Sequence, residues 1–279
     1  MSFAESQTPG PDVMSRRFAV SWRNRSRRVI APVGVLDHDS SGYRFRYLDT
    51  AGTIEGFRPF IGFPDLDRVF ESPRLWPFFN LRIMDRKRPD FPQYVQWLGL
   101  DADASELDIL SRSGGEQKGD SVALTEAPLV RNDGQTEAVF LIRGVSYAVR
   151  AYDTEARATS LRQGDQLHLV DDVTNEVNKD ALLLRGRDGA IFGWVPDLLI
   201  GYAKQVRAAG GSVVVLRNNG VNAPWHTRLL VRVSGRLTPG TKFFSGSPWP
   251  PGRPDRVGSV SVHSGAAGET ERLRDQRPG

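Results

Sequence analysis

The sequence predicts a two-part protein: an α+β region over residues 18–126 and a mainly β region over residues 138–235, joined by a linker at 127–137. Three observations carry this. Tyr43 to Leu48 alternates aromatic residues with arginine, the period of a half-buried strand. Pro92 precedes an apolar-periodic stretch that Gly99 closes, which is a helix signature. Beyond residue 138, short apolar runs recur between turns rich in Gly and Asp, the pattern of consecutive strands.

In chain order, residues 1–17 are polar, with Pro9, Gly10 and Pro11 close together, and read as a disordered lead. A cluster of Arg16, Arg17, Arg23, Arg25, Arg27 and Arg28 follows, with Phe18 and Trp22 between. It reads either as a solvated arm or as a phosphate-contacting arm, with Arg23, Arg25, Arg27 and Arg28 on phosphates and Trp22 free to stack. Val29 to Val35 is β-branched and predicts a strand; Ser40-Ser41-Gly42 turns it into Tyr43–Leu48, making a hairpin. Gly56 to Pro64 is a loop, and Asp65 to Phe70 a short helix. Leu75, Trp76, Phe78 and Phe79 need burial. Ser105 with Asp108 three residues on is a capping pattern for a helix over 106–111, which Gly114-Gly115 ends. Pro128 and Asn132-Asp133-Gly134 mark the linker.

In the second region, strands are expected at 138–142, 166–170, 181–185, 190–195, 212–217 and 227–233. Asp188-Gly189 is a hairpin turn between two of them. Pro196 opens a helix that Gly210-Gly211 caps. Residues 236–279 are rich in Gly, Pro, Ser and charge, and read as a mostly disordered tail.

Composition excludes several chemistries. The chain of 279 residues has no cysteine, so it has no disulfide, thiol nucleophile or thiolate metal site. Four scattered histidines with no pair at helical spacing argue against zinc, and no metal or other cofactor is expected. No G-x-x-x-x-G-K-[ST] loop and no G-x-S-x-G elbow exists, and the carboxylates are scattered, so no catalysis is expected. No apolar run approaches membrane-spanning length, the first residues do not read as a secretory signal, and the cytoplasm is the expected location. The formal net charge of +4 permits an anionic partner without requiring one.

The sharpest motifs lie in the second region: Arg143-Gly144-Val145-Ser146-Tyr147, then Gly164-Asp165-Gln166-Leu167-His168-Leu169, then Asn175-Glu176-Val177-Asn178-Lys179-Asp180-Ala181-Leu182, then Gly189-Ala190-Ile191-Phe192-Gly193-Trp194-Val195-Pro196. In this order they resemble the HIRAN domain. The resemblance covers residues 138–235 and implies an OB-like β-barrel with a flanking helix that binds the 3′-hydroxyl end of single-stranded DNA. It implies that Tyr147 stacks on a base and that Trp194 supplies a second flat face. It places Asn178 where the family has an aspartate for the terminal hydroxyl, Lys179 beside it, and Asn175 at the loop's asparagine. Three positions depart from the family: Glu176-Val177 replaces Pro-Tyr, Asn178 replaces the aspartate, and Ser146 replaces an arginine. Residues 137–235 carry 12 Lys and Arg against 10 Asp and Glu, so affinity would rest on stacking rather than bulk charge. Tyr147 and Trp194 also fit ordinary barrel core.

The first region resembles the N-terminal subdomain of HipA-type toxin kinases, on Val33-Gly34-Val35-Leu36, on Leu75-Trp76-Pro77-Phe78-Phe79 through Ile83, and on Asp108-Ile109-Leu110 through Gly115. In that family this piece packs on a kinase core, which this chain does not continue into. The expected function is therefore non-catalytic binding of single-stranded DNA or other nucleic acid, with any helicase, nuclease or kinase activity supplied by a partner protein. The alternative is a protein-interaction module of a toxin–antitoxin or regulatory system that docks on a HipA-like kinase.

Overall fold

The computed structural model describes residues 15–24, 30–117, 119 and 121–245, and the main chain of a strand at 256–259. Among these, the protein is sheet-rich α+β, with a six-stranded and a seven-stranded sheet.

The first sheet uses β1 (Arg16–Arg23), β2 (Ile30–Asp39), β3 (Gly42–Tyr47), β4 (Arg68–Ser72) and β5 (Val122–Glu126). The hairpin of β2 and β3 forms as the alternation predicts, with Leu36 opposite Phe45 and Asp39 opposite Gly42. Phe45 points inward beneath a group of aromatic rings, 4.7 Å from Phe63 and 5.4 Å from Phe79 between centroids. Buried Tyr47 pins the 56–64 loop: its hydroxyl accepts from the Phe60 N–H at 2.6 Å and donates to the Phe63 carbonyl at 3.0 Å.

Two expectations for this half are corrected. The stretch expected to be a helix at 65–70 instead forms β4, because Val69 and Phe70 are buried while Phe45, Arg44 and Tyr43 pair with Phe70, Glu71 and Ser72. The expected arginine arm begins as a central strand. β1 lies between β2 and β5, with Phe18 and Val20 fully buried. Arg16 is held by Asp108 at 2.8 Å and Glu126 at 2.6 Å, and Arg17 by Asp37 at 2.6 Å. The first strand thus starts within the expected lead, at Arg16.

Three helices follow in this half: α1 (Pro77–Asn80), α2 (Phe91–Trp97) and α3 (Glu106–Ser113). The Ser105–Asp108 capping box forms in both directions, and Gly114 ends α3 in the left-handed conformation.

The second sheet runs β10 (Ile191–Trp194), β9 (Leu182–Arg185), β8 (Gln166–Asp171), β11 (Ser212–Asn218), β12 (Leu229–Arg236), β7 (Gln135–Leu141), β6 (Leu129–Val130). The span expected to be a linker is folded. β6 and the start of β7 pair across it, and Asn132-Asp133-Gly134 supplies the hairpin turn. α4 (Val145–Ala151), α5 (Glu155–Ser160) and α6 (Ile200–Ala208) cover this sheet. Its core draws Phe140, Leu167, Leu182, Leu184, Phe192, Val213, Val215, Val231 and Val233 into one cluster with Val149 and Tyr202.

The expected OB-like barrel does not close as a continuous ladder. Beyond β7 a single bridge, Arg143 with Trp194, joins the far edge strand β10, with both main-chain hydrogen bonds at 2.9 Å. Then Gly144 turns the chain away into α4. The curled sheet therefore meets itself at one residue pair.

Strand alternation also joins the two halves. On β7 and β12, Phe140 and Val231 face the sheet's own core, while Leu141 and Leu230 face the first half. There they pack against Phe91, Val95, Leu98 and Ile109. Asn219 donates to the Trp97 carbonyl at 2.8 Å across the same seam.

The expected tail also contains ordered chain. Phe244 is buried, and Phe243 meets Tyr202 edge-on at 5.2 Å. The strand β13 (Arg256–Ser259) adds in parallel to the β4 edge.

Candidate nucleic-acid interface

Three pieces of the second half meet at one surface: the start of α4, the 172–181 loop between β8 and β9, and the end of β10. α4 forms because Val145, Ala148 and Val149 recur at helical spacing and bury together, which puts Tyr147 on the opposite, solvent face. Tyr147 is 66% exposed, so the core reading fails for this ring. Its centroid lies 5.8 Å from that of Trp194, with the planes tilted by 46°.

Trp194 is half-buried and held on two sides. Its six-membered ring packs on Gly144, where a Cβ would come within 2.8 Å of Cε3. Its indole Nε1 donates to Asp172 Oδ2 at 2.8 Å. Asp172 is only 5% exposed and takes two further bonds, from Thr174 Oγ1 at 2.8 Å and Asn175 Nδ2 at 3.2 Å. Burial opposes its charge, but the bonds donated by Trp194, Thr174 and Asn175 outweigh it and hold the carboxyl below the usual carboxylate range. Neighbouring Asp171 points the other way, to Arg207 at 3.0 Å, as strand alternation requires.

The remaining loop residues divide between structure and surface. Asn175 Oδ1 accepts from the N–H groups of Val177 at 3.1 Å and Asn178 at 2.9 Å, so Asn175 fixes the loop. Asn178 is half-buried; its Oδ1 accepts from the Asp180 N–H at 3.0 Å and its Nδ2 donates to Asp197 Oδ1 at 3.2 Å. Lys179 is exposed. Val173 at 82% and Val177 at 60% exposure add apolar surface to the same loop.

Thus Tyr147 and Trp194 come together, and Asn175, Asn178 and Lys179 lie on the adjoining loop. Of the arginine arm, the described residue Arg23 does not join them. Arg23 is exposed at the end of β1 in the first sheet, and Arg25, Arg27 and Arg28 lie outside the described residues. Trp22 packs edge-on to Phe57 at 5.7 Å rather than standing free.

Three contributors were missed in the sequence. Nothing in the sequence distinguishes Asp172 from Asp171, and only the alternation that runs on from the end of β8 separates them. Asp197, after Pro196, supplies a carboxylate beside Asn178. Arg150 is exposed one helical turn from Tyr147, a spacing visible once 145–151 is read as a helix.

No protein-family model matches the chain, and no curated protein matches it in sequence. Among solved structures it is similar to the HIRAN domain of human HLTF, at 18% identity and a TM-score of 0.27, covering 39% of this chain and 80% of that chain. No helix among the described residues is long and apolar enough to cross a membrane.

Proposed function

We propose that this protein binds single-stranded nucleic acid, DNA in the first instance, through the Tyr147–Trp194 surface and without catalysing a reaction. The observation that carries the reading is an exposed tyrosine ring beside an indole locked by a buried carboxylate. A core does not need Tyr147 there, whereas a base does: aromatic stacking contributes about 1–3 kcal/mol per base and needs a ring fixed in place. The order of motifs over 138–235 supports the same reading. At a strand end, a free 3′-hydroxyl donates to Asp197 beside Asn178, and a 3′-phosphate meets that carboxylate with like charge. With one exposed ring and Lys179 as the adjoining loop's cation, affinity is of micromolar class, on the order of −8 kcal/mol.

Titration of fluorescent short single strands tests this. Tyr147→Ala should weaken binding by about 1–3 kcal/mol, roughly 5- to 150-fold. The exposed position should leave the thermal midpoint unchanged. Strands ending in a 3′-phosphate should bind more weakly than those with a free hydroxyl. Equal binding of the two would remove end recognition and leave strand binding standing. Failure to bind any single strand at low salt would favour the docking module, with a HipA-like kinase as partner.

A further inference from the structure

The two rings sit among carboxylates: Asp172, Glu176 and Asp197 lie on the loops around them, against Lys179 and Arg150. A strand stacked there needs its phosphates neutralised elsewhere. The seam between the two halves opens into a cleft of about 1250 Å³, lined by six arginines against four carboxylates. That volume exceeds the usual small-molecule pocket and suits an extended chain.

Two residues close to Trp194, by main-chain pairing or in sequence, line the cleft. The main chain of Arg143 bridges Trp194, and its guanidinium lines the cleft, 2.9 Å from Glu116. Pro196, two residues beyond Trp194, lines it too. Farther along is half-buried Arg112, whose Nη1 is buried with no hydrogen-bond partner among the described residues. Glu126, which also lines the cleft, is occupied by Arg16 and Ser111. The Arg112 Nη1 is itself closed to solvent, so a phosphate in the cleft meets the part of the half-buried Arg112 side chain that lines it. Arg131, on the same lining, is exposed and carries no ion pair among the described residues.

We infer that the cleft is a phosphate track: a strand stacked on Tyr147 runs past Arg143 between the two halves, with one phosphate on Arg112 and another on Arg131. This rests on the strand-binding reading above and extends it to residues of both halves.

The test uses the full chain with fluorescent single strands of three and twelve nucleotides across a salt series. Each phosphate contact on a single strand adds about 0.7 to the slope of log affinity against log salt. Arg112→Gln combined with Arg131→Gln should lower the twelve-mer's slope by about 1.4 and leave the three-mer unchanged. Arg131→Gln alone, at an exposed position, should remove about 0.7 and decides the matter if the Arg112 change disturbs folding. Tyr147→Ala should weaken both lengths. An unchanged twelve-mer slope in the arginine variants, with Tyr147→Ala still weakening both strands, overturns the track and leaves the ring reading intact. If Tyr147→Ala alters neither strand, the ring reading falls and the track with it. A polyglutamate peptide that displaces the twelve-mer at equal charge concentration would overturn the nucleic-acid assignment in favour of an acidic-peptide groove.

Discussion

Gly193→Ala should destabilise the second half by about 3 kcal/mol or more, roughly 6–12 °C in thermal midpoint. Gly193 has φ +139°, which L side chains rarely adopt. A Cβ there would also fall inside van der Waals contact with the Arg143 carbonyl oxygen and within 2.6 Å of Ile142 Cγ2. Backbone strain and overlap each cost about 1–3 kcal/mol. Both fall on the one bridge that joins the edges of the curled sheet. The functional consequence follows from position: Trp194 is the next residue, and its register against Arg143 sets where the indole lies. Circular dichroism melting reads the loss. A midpoint within 2 °C of the parent would mean that the sheet does not depend on this bridge.

Asp172→Asn should cost about 3 kcal/mol, since hydrogen bonds to a charged group contribute about 1.5–3 kcal/mol each and the new amide turns a donor toward donors. The pH dependence gives a second signature. The Asp172 carboxyl is held below its ordinary value in the fold. Its contribution is therefore complete above the unfolded value of about 3.9 and is lost as the pH falls through the lower folded value. The parent and Asp172→Asn should thus differ by the full amount at pH 7 and converge as the pH drops below about 4. Denaturant melts at pH 7, 5, 4 and 3 measure this. A constant gap across that range would mean that Asp172 does not act through its charge.

Legibility in the sequence followed how local the determining interaction is. The β2–β3 hairpin, the Ser105 cap and the strands of the second half rest on neighbouring residues and short turns, and their patterns are plain. β1 was obscured because its arginines look solvated, while their partners Asp108 and Glu126 lie about a hundred residues away. β4 is too short for its alternation to outweigh a helical reading, and its pairing with β3 decides it. At the site, Tyr147 and Trp194 were visible as rings, but not which of them is exposed. That depends on α4 forming after Gly144 and on Asp172 turning inward to the indole. The cleft arginines were invisible because the cleft exists only once Leu141 and Leu230 seat the second half on α2 and α3.

The most direct measurement is on the indole N–H groups. The chain has six tryptophans, and Trp194→Phe identifies the resonance of Trp194 in an amide correlation spectrum. On titration with a short single strand bearing a free 3′-hydroxyl, the Trp194 indole signal should shift in a saturable way, while buried Trp76 on the far half stays in place. If the strand binds and the Trp194 indole does not move, the nucleic acid sits elsewhere and the Tyr147–Trp194 surface is not its site.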